Sequence, residues 1–346
     1  MSLRLAVVGC GRVAVEMHLP ALRQVPEVRV TALCDPDRAR AERMAAALGG
    51  VVVTELGPAL DLADAVAVLT PPVAHADLVL AALDAGKSVL VEKPLAASLT
   101  DCDRMLASGS AARVMVGLNL RHHRLVQEAR HFVRSGRLGR VSLVRSLFTH
   151  DRTGQDSPAW HHRADTGGGI LHNEAGHHFD LWRFLLGVEV EEVACTSLGR
   201  PPYQAAAAAV SARLSDGTLA SGSFGLHTGS HNELEICGEA GRLLLSCHRF
   251  DGLLFQAHDG HSGDARDRWR QASALLRQLP EGLAARRRGG DLRDSFRRMW
   301  QHFVDCVRGR AEPNASLADG RSAVTITTAC TEAAGSGKTI SLRADK

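Results

Sequence analysis

Chemistry enters this chain first at a glycine turn. The segment Leu5-Ala6-Val7-Val8-Gly9-Cys10-Gly11-Arg12-Val13-Ala14 reads as a strand, a Gly-x-Gly-x-x-Ala turn and the start of a helix. In such a turn Gly9 permits the tight reversal, Gly11 lets the backbone approach a pyrophosphate, and the small Ala14 lets helix and strand pack closely. The unpaired N–H groups and the dipole of the helix start, where Arg12 and Val13 stand, favour the charge of phosphates. The next strand ends at Asp35, where an acid takes the ribose hydroxyls of NAD. A 2′-phosphate would be repelled there unless Arg38 neutralised it, so NAD is expected, with NADP possible. Asp35 could instead cap the helix expected from Pro36.

A second cluster is formed by Asn173, His177 and Asp180. At 100° per residue they share a helical stripe about 60° wide, opposite Leu171, Ala175, Phe179, Trp182 and Leu186. His177, with an ordinary pKa near neutrality, is the natural acid or base, and Asp180 stands one turn away to orient it. A solvated polar face would show the same stripe. His161 and His162, in the preceding loop, could line a substrate cleft. With His172, His177 and His178 they raise a metal reading. Adjacent helical histidines diverge by about 100°, however, and no i, i+4 pair occurs, so no metal is expected.

The elements that must position these residues suggest two domains, since single cores stop growing near ~250 residues and the chain has 346. Residues 1–120 alternate near-continuous apolar runs (Leu3–Gly9, Val28–Asp35, Ala65–Thr70, Ser88–Lys93, Arg113–Gly117) with helical segments (Val13–Gln24, Pro36–Leu48, Val73–Ala85, Leu99–Ser108). That alternation predicts an α/β domain with a doubly wound parallel Rossmann sheet. Residues 121–346 predict an α+β domain for substrate and oligomerisation. It should hold a helix at Leu125–Ser135, a strand at Val141–Phe148, a Gly-rich helix start at Gly167, and about five further strands in a large, mostly antiparallel open sheet. An Arg-rich helical insertion covers about 261–290, and the helices Leu292–Val307 and Leu317–Ala334 return toward the first domain.

Composition narrows the setting. With 45% hydrophobic and 23% charged residues the chain is of globular type, and no run approaches the length of a membrane-spanning helix. Forty-one Lys and Arg against 38 Asp and Glu give +3, too little to imply nucleic acid. Eight scattered cysteines without a close pair suit reduced thiols, hence a cytoplasmic protein. The arginines of the insertion (Arg266, Arg268, Arg270, Arg277, Arg286, Arg287, Arg288) read as a solvated helix face, or more sharply as a site for a phosphorylated substrate.

Thr70-Pro71-Pro72 with His75, followed by Glu92-Lys93-Pro94, adds to the glycine turn a combination that resembles the glucose-fructose oxidoreductase and inositol dehydrogenase family, Gfo/Idh/MocA. The likeness runs over nearly the whole chain. By this resemblance Lys93 lies beside a nicotinamide and helps transfer a proton, as a lysine partly desolvated in a cleft can. Glu92 would orient it, and Pro94 would follow a cis bond. The stretch Gly168-Gly169-Ile170-Leu171-His172-Asn173-Glu174-Ala175-Gly176-His177-His178-Phe179-Asp180 fills the second family signature, with Asn173 where many members carry Asp. A neutral amide can hold a substrate hydroxyl but carries no charge. Asn119 and Arg121 follow the last Rossmann strand, where members place cofactor and substrate contacts. The implied activity is NAD(P)-dependent hydride transfer on a secondary alcohol or ketone of a sugar, nucleotide sugar or cyclitol, by a homodimer or homotetramer. Lys93, His177 and Asn173 would be catalytic. Gly9, Gly11, Arg12, Val13, Asp35, Arg38, Thr70, Pro71, His75, Glu92, Lys93 and Asn119 would hold cofactor, and Arg121, His161, His162, Asn173 and His177 substrate. An NAD-using glycosidase and a non-catalytic regulator of the same fold are the alternatives.

Overall fold

The computed structural model describes residues 2–110, 113–152, 157–258 and 265–343. The chain divides into two compact units, residues 1–119, 165–167 and 293–324 in one, and 120–164, 168–292 and 325–346 in the other.

The first unit holds six parallel strands, β1 (Leu3–Val8), β2 (Val28–Cys34), β3 (Val51–Val53), β4 (Ala65–Val68), β5 (Ser88–Val91) and β6 (Val114–Val116), in the order β3-β2-β1-β4-β5-β6. Successive side chains bury on opposite faces. Leu5, Val7, Leu33 and Leu90 pack with Met299, Trp300 and Phe303, while Ala6, Val8, Val66 and Val68 pack with Val79, Cys102 and Met105. Burial on both sides is why these strands are unbroken apolar runs. The three-residue β3 and the helix Leu56–Asp61 add to the expected elements, each too short for a periodic signal. The single helix expected at Val13–Gln24 contains a π-helical turn at Ala14–His18 before Leu19–Leu22. Pro20 lacks an amide hydrogen and its ring crowds the carbonyl four residues back, which the wider turn relieves.

The second unit carries β7 (Val141–His150), β8 (Val190–Arg200), β9 (Tyr203–Leu214), β10 (Leu219–Leu226), β11 (His231–Gly238), β12 (Gly241–Ser246), β13 (Leu253–Ala257) and β14 (Ile340–Ser341). Their order is β13-β12-β11-β7-β10-β9-β8-β14, antiparallel throughout except where β7 runs parallel to β10. Alternate residues of β9 and β10 are buried, and the buried face packs on Phe179 and Trp182, whose Nε1 donates to Ser146 Oγ at 2.9 Å. The Gly-rich helix does not start at Gly167. It begins as a π-helical segment, Ile170–Ala175, and continues as the α-helix Gly176–Leu186. The Arg-rich stretch forms the helix Ala265–Arg287, with Arg277, Arg286 and Arg287 exposed and Arg288 half-buried. Residues 261–264 and the side chains of Arg266, Arg268 and Arg270 lie outside the described residues.

Two of the histidines that raise a metal reading are spent inside this unit. His172 lies 3.1 Å and 3.3 Å from the hydroxyls of Thr327 and Thr331, and His178 Nε2 donates to Asn232 Oδ1 at 3.2 Å. Burial pushes both rings down to about 4. Unfolded histidine takes a proton near pH ~6.5. Between that value and about 4 the unfolded chain therefore binds protons that the folded rings refuse, and stability falls as pH falls. Each ring costs about 3 kcal/mol by pH 4. Urea midpoints measured from pH 7.5 to 4.5 should fall steadily below pH 6.5, and a flat series would contradict this account of the buried rings.

Candidate active site

In the order β3-β2-β1-β4-β5-β6 the topology reverses between β1 and β4, so a crevice for ligands is expected beyond their carboxyl ends. Gly9 leaves β1 at φ +93°, and a Cβ there would lie 2.8 Å from the Leu69 carbonyl and 2.9 Å from the Thr70 nitrogen. Only glycine fits. Gly11 has nothing within 4 Å of where a Cβ would stand, which leaves its backbone open to a pyrophosphate. Asp35 is buried; its Oδ2 accepts from Cys10 N at 2.8 Å and its Oδ1 from Asp37 N at 2.9 Å. The acid therefore braces the glycine turn itself, while Asp37, not Asp35, caps the helix Arg38–Leu48. Each Asp35 oxygen retains a second lone pair for a ribose hydroxyl. Among the described residues Thr70 Oγ1 is buried without a hydrogen-bond partner, a polar atom that a ligand at this strand end would satisfy. The bare turn, the buried acid and this hydroxyl fit a dinucleotide. Val13 is half-buried, Pro71 exposed, and the exposed Arg12 and Arg38 pair along their helices with Glu16 and Glu42 at 2.9 Å.

Three expected cofactor contacts are turned inward. His75 is wholly buried, its Nε2 2.9 Å from the Thr70 carbonyl and its Nδ1 3.1 Å and 3.2 Å from those of Pro94 and Leu95. It spans the loops after β4 and β5, and burial pushes it toward its neutral form. Asn119 is buried and donates to Ser295 Oγ at 3.1 Å. Glu92 is buried at the end of β5, where Oε2 accepts from Lys93 N at 3.0 Å and Oε1 lies 2.9 Å from His18 Nε2. Lys93 itself is half-buried, and the Lys93–Pro94 peptide is cis. His18 carried no signal in the sequence, where it is one polar residue on a helix.

In the second unit the π-helical segment alters the expected stripe. In a regular α-helix Asn173 and His177 would be 40° apart; the i→i+5 pattern turns the chain less per residue and brings them closer to one line. The same change carries Asp180 away. Asp180 is buried in a two-pronged ion pair with Arg121, whose Nη2 and Nε lie 2.5 Å and 2.8 Å from its oxygens. Arg121, stacked over Phe184, is committed to this core carboxylate. His177 is buried, with Phe148 edge-on at 6.2 Å. Asn173 Nδ2 donates to Glu174 Oε1 at 3.3 Å, and Glu174 is held by Arg152 at 2.5 Å and His150 at 3.4 Å. That network was not anticipated, because nothing along the chain links residues 150 and 152 to 174.

His162 Nε2 lies 2.8 Å from Ser157 Oγ, which is 2.9 Å from the Tyr203 hydroxyl, and His161 packs on Trp160 at 3.9 Å. This loop passes so near Gly168 that a Cβ there would stand 2.1 Å from the Trp160 carbonyl. Among the described residues no three His, Cys, Asp or Glu side chains are grouped to hold a metal, and no helix is long and apolar enough to cross a membrane. All eight cysteines are free thiols.

Comparison with known proteins agrees with this geometry. Residues 3–120 match the model for an oxidoreductase family with an NAD-binding Rossmann fold, and residues 126–244 match the GFO/IDH/MocA C-terminal domain. The inositol 2-dehydrogenase of Rhizobium meliloti is 33% identical over 57% of this chain and 59% of that protein. The dTDP-3,4-didehydro-2,6-dideoxy-alpha-D-glucose 3-reductase of Actinomadura kijaniata is 30% identical over 70% of this chain and 74% of that protein. The match with the inositol dehydrogenase thus spans less than two thirds of that relative's length. In fold, the WlbA dehydrogenase from Bordetella pertussis, solved with NADH and UDP-GlcNAcA, superposes with a TM-score of 0.82 at 23% identity over 99% of both chains. Fold and turn together define a protein with an NAD-binding Rossmann domain. The chain belongs to the Gfo/Idh/MocA family.

Two substitutions test these placements. Arg121→Met strips buried Asp180 of its two-pronged partner and leaves it only the longer contact with Arg183 at 3.9 Å, a loss of about 3–5 kcal/mol. The melting temperature should drop while KM changes less than about twofold; a raised KM at unchanged melting temperature would return Arg121 to the substrate. Asn173→Asp sets a carboxylate against Glu174, and like charges at that range oppose each other's ionisation. Activity should fall about tenfold, and Asn173→Asp with Glu174→Gln should recover most of it.

Proposed function

We propose that the protein is an NAD(P)-dependent oxidoreductase that moves hydride between nicotinamide and a secondary alcohol or ketone of a sugar, nucleotide sugar or cyclitol. The observation that carries this reading is the turn at Gly9, packed on Leu69 and Thr70 at the reversal of the parallel sheet. The relatives named above as dehydrogenases and reductases of cyclitols and nucleotide sugars support the substrate class.

When bound, the nicotinamide supplies the hydride acceptor or donor. Asp35, buried at the end of β2, would take the ribose hydroxyls and leave no room for a 2′-phosphate, which favours NAD over NADP, and Arg38 is engaged with Glu42. Lys93 holds the reacting oxygen and stabilises charge on it. His177 takes the hydroxyl proton in the oxidative direction and returns it in reduction. Asn173, its amide committed to Glu174, offers its carbonyl oxygen to a substrate hydroxyl. His161 and His162 remain substrate contacts in this reading. A homo-oligomer is part of it too, supported by the exposed leucines Leu143, Leu198 and Leu219 on the second sheet.

The test is a screen of polyols, cyclitols and nucleotide sugars at 340 nm with both cofactors. Net NADH formation with NAD preferred, and a loss of at least about 100-fold in kcat for both Lys93→Met and His177→Phe, is the expected result. Full activity of Lys93→Met would overturn the reading, and turnover without net NADH would point to the glycosidase alternative.

A further inference from the structure

We propose that His18 is a positioning residue for Lys93, acting through Glu92; this rests on the oxidoreductase reading above. His18 ends the π-helical turn Ala14–His18 that follows the glycine turn and is wholly buried. Its Nδ1 has no hydrogen-bond partner, so the ring's polar contact among the described residues is Nε2 to Glu92 Oε1 at 2.9 Å. Carboxylates only accept, which assigns the proton to Nε2 as the donor. The ring cannot swing away, because Phe296 and Trp300 meet it edge-on at 5.1 Å and 5.7 Å.

Glu92 passes this restraint on. Its other oxygen accepts from the Lys93 amide at 3.0 Å, so the carboxylate bridges an imidazole on one element and the backbone of the lysine on another. On the far side of Lys93, His75 spans the carbonyls of Thr70, Pro94 and Leu95. Lys93 therefore sits between two buried imidazoles, one fixing the residue before it and one the residues after it. A buried carboxylate stripped of one donor is costly and seeks another. Removing His18 frees Glu92 to re-aim, and the lysine backbone moves with it. A displacement of about 1 Å at a reacting group costs up to about 100-fold in rate without touching ligand affinity elsewhere.

The experiment compares His18→Met, which keeps apolar bulk and lacks the donor, with His18→Gln, whose amide can donate to Glu92. In His18→Met, kcat should fall about 10- to 100-fold while the NADH dissociation constant, read by fluorescence quenching, stays within about twofold. His18→Gln should recover most of kcat. Equal losses in both variants, or wild-type kcat in His18→Met, would overturn the positioning role. If His18→Met does not fold, His18→Gln decides beside Glu92→Gln: near-wild-type kcat in the first with loss in the second supports the role, and equal loss in both overturns it. Lys93→Met separates the two levels. If that variant is fully active the oxidoreductase reading itself fails, whereas an inactive Lys93→Met beside a wild-type His18→Met removes only the role of His18.

Discussion

The first unit is organised by one close approach of backbone to backbone. At Gly9 the chain leaves β1 with a positive φ and passes so near the Leu69–Thr70 peptide that any side chain would collide with it. That approach lets a helix start directly above the reversal point of the sheet, and the surrounding polar groups are arranged to hold it. Asp35 draws the Cys10 amide toward the end of β2, and burial with that carboxylate pushes the Cys10 thiol up to about 12, so the cysteine in the turn is a small apolar filler, not a nucleophile. The π-helical turn further along the same helix then delivers His18 to Glu92.

The second unit solves a related problem differently. A π-helical opening runs into a regular helix, and the change of pitch falls between Asn173 and His177. Polar residues on that helix sort into two kinds. His172, His178 and Asp180 are satisfied by Thr327 and Thr331, by Asn232 and by Arg121 within the core. Asn173 belongs to a charged network with Glu174 and Arg152. The neutral amide of Asn173 thus has a carboxylate immediately beside it.

Much of the first unit was legible along the chain, because strands buried on both faces are continuous apolar runs and a glycine turn is local chemistry. The strand ends that carry Asp35 and Lys93 and the helix that carries His177 could be read for the same reason, as short local signals. The inward turn of His75, Asn119 and Arg121 could not. Each is polar, and nothing in its neighbours along the chain names Pro94, Ser295 or Asp180 as its partner.

By itself the sequence determined the period of each element, the turn that only glycine can make, and the residue types able to hold phosphate or move a proton. These depend on spacing within a few residues. Tertiary structure alone decided which polar side chains are consumed inside: His18 with Glu92, Arg121 with Asp180, His75 between two loops. It also set the pitch of the helix that carries Asn173 and His177. A buried polar group must find a partner wherever packing brings one, and the partner's distance along the chain plays no part in that choice.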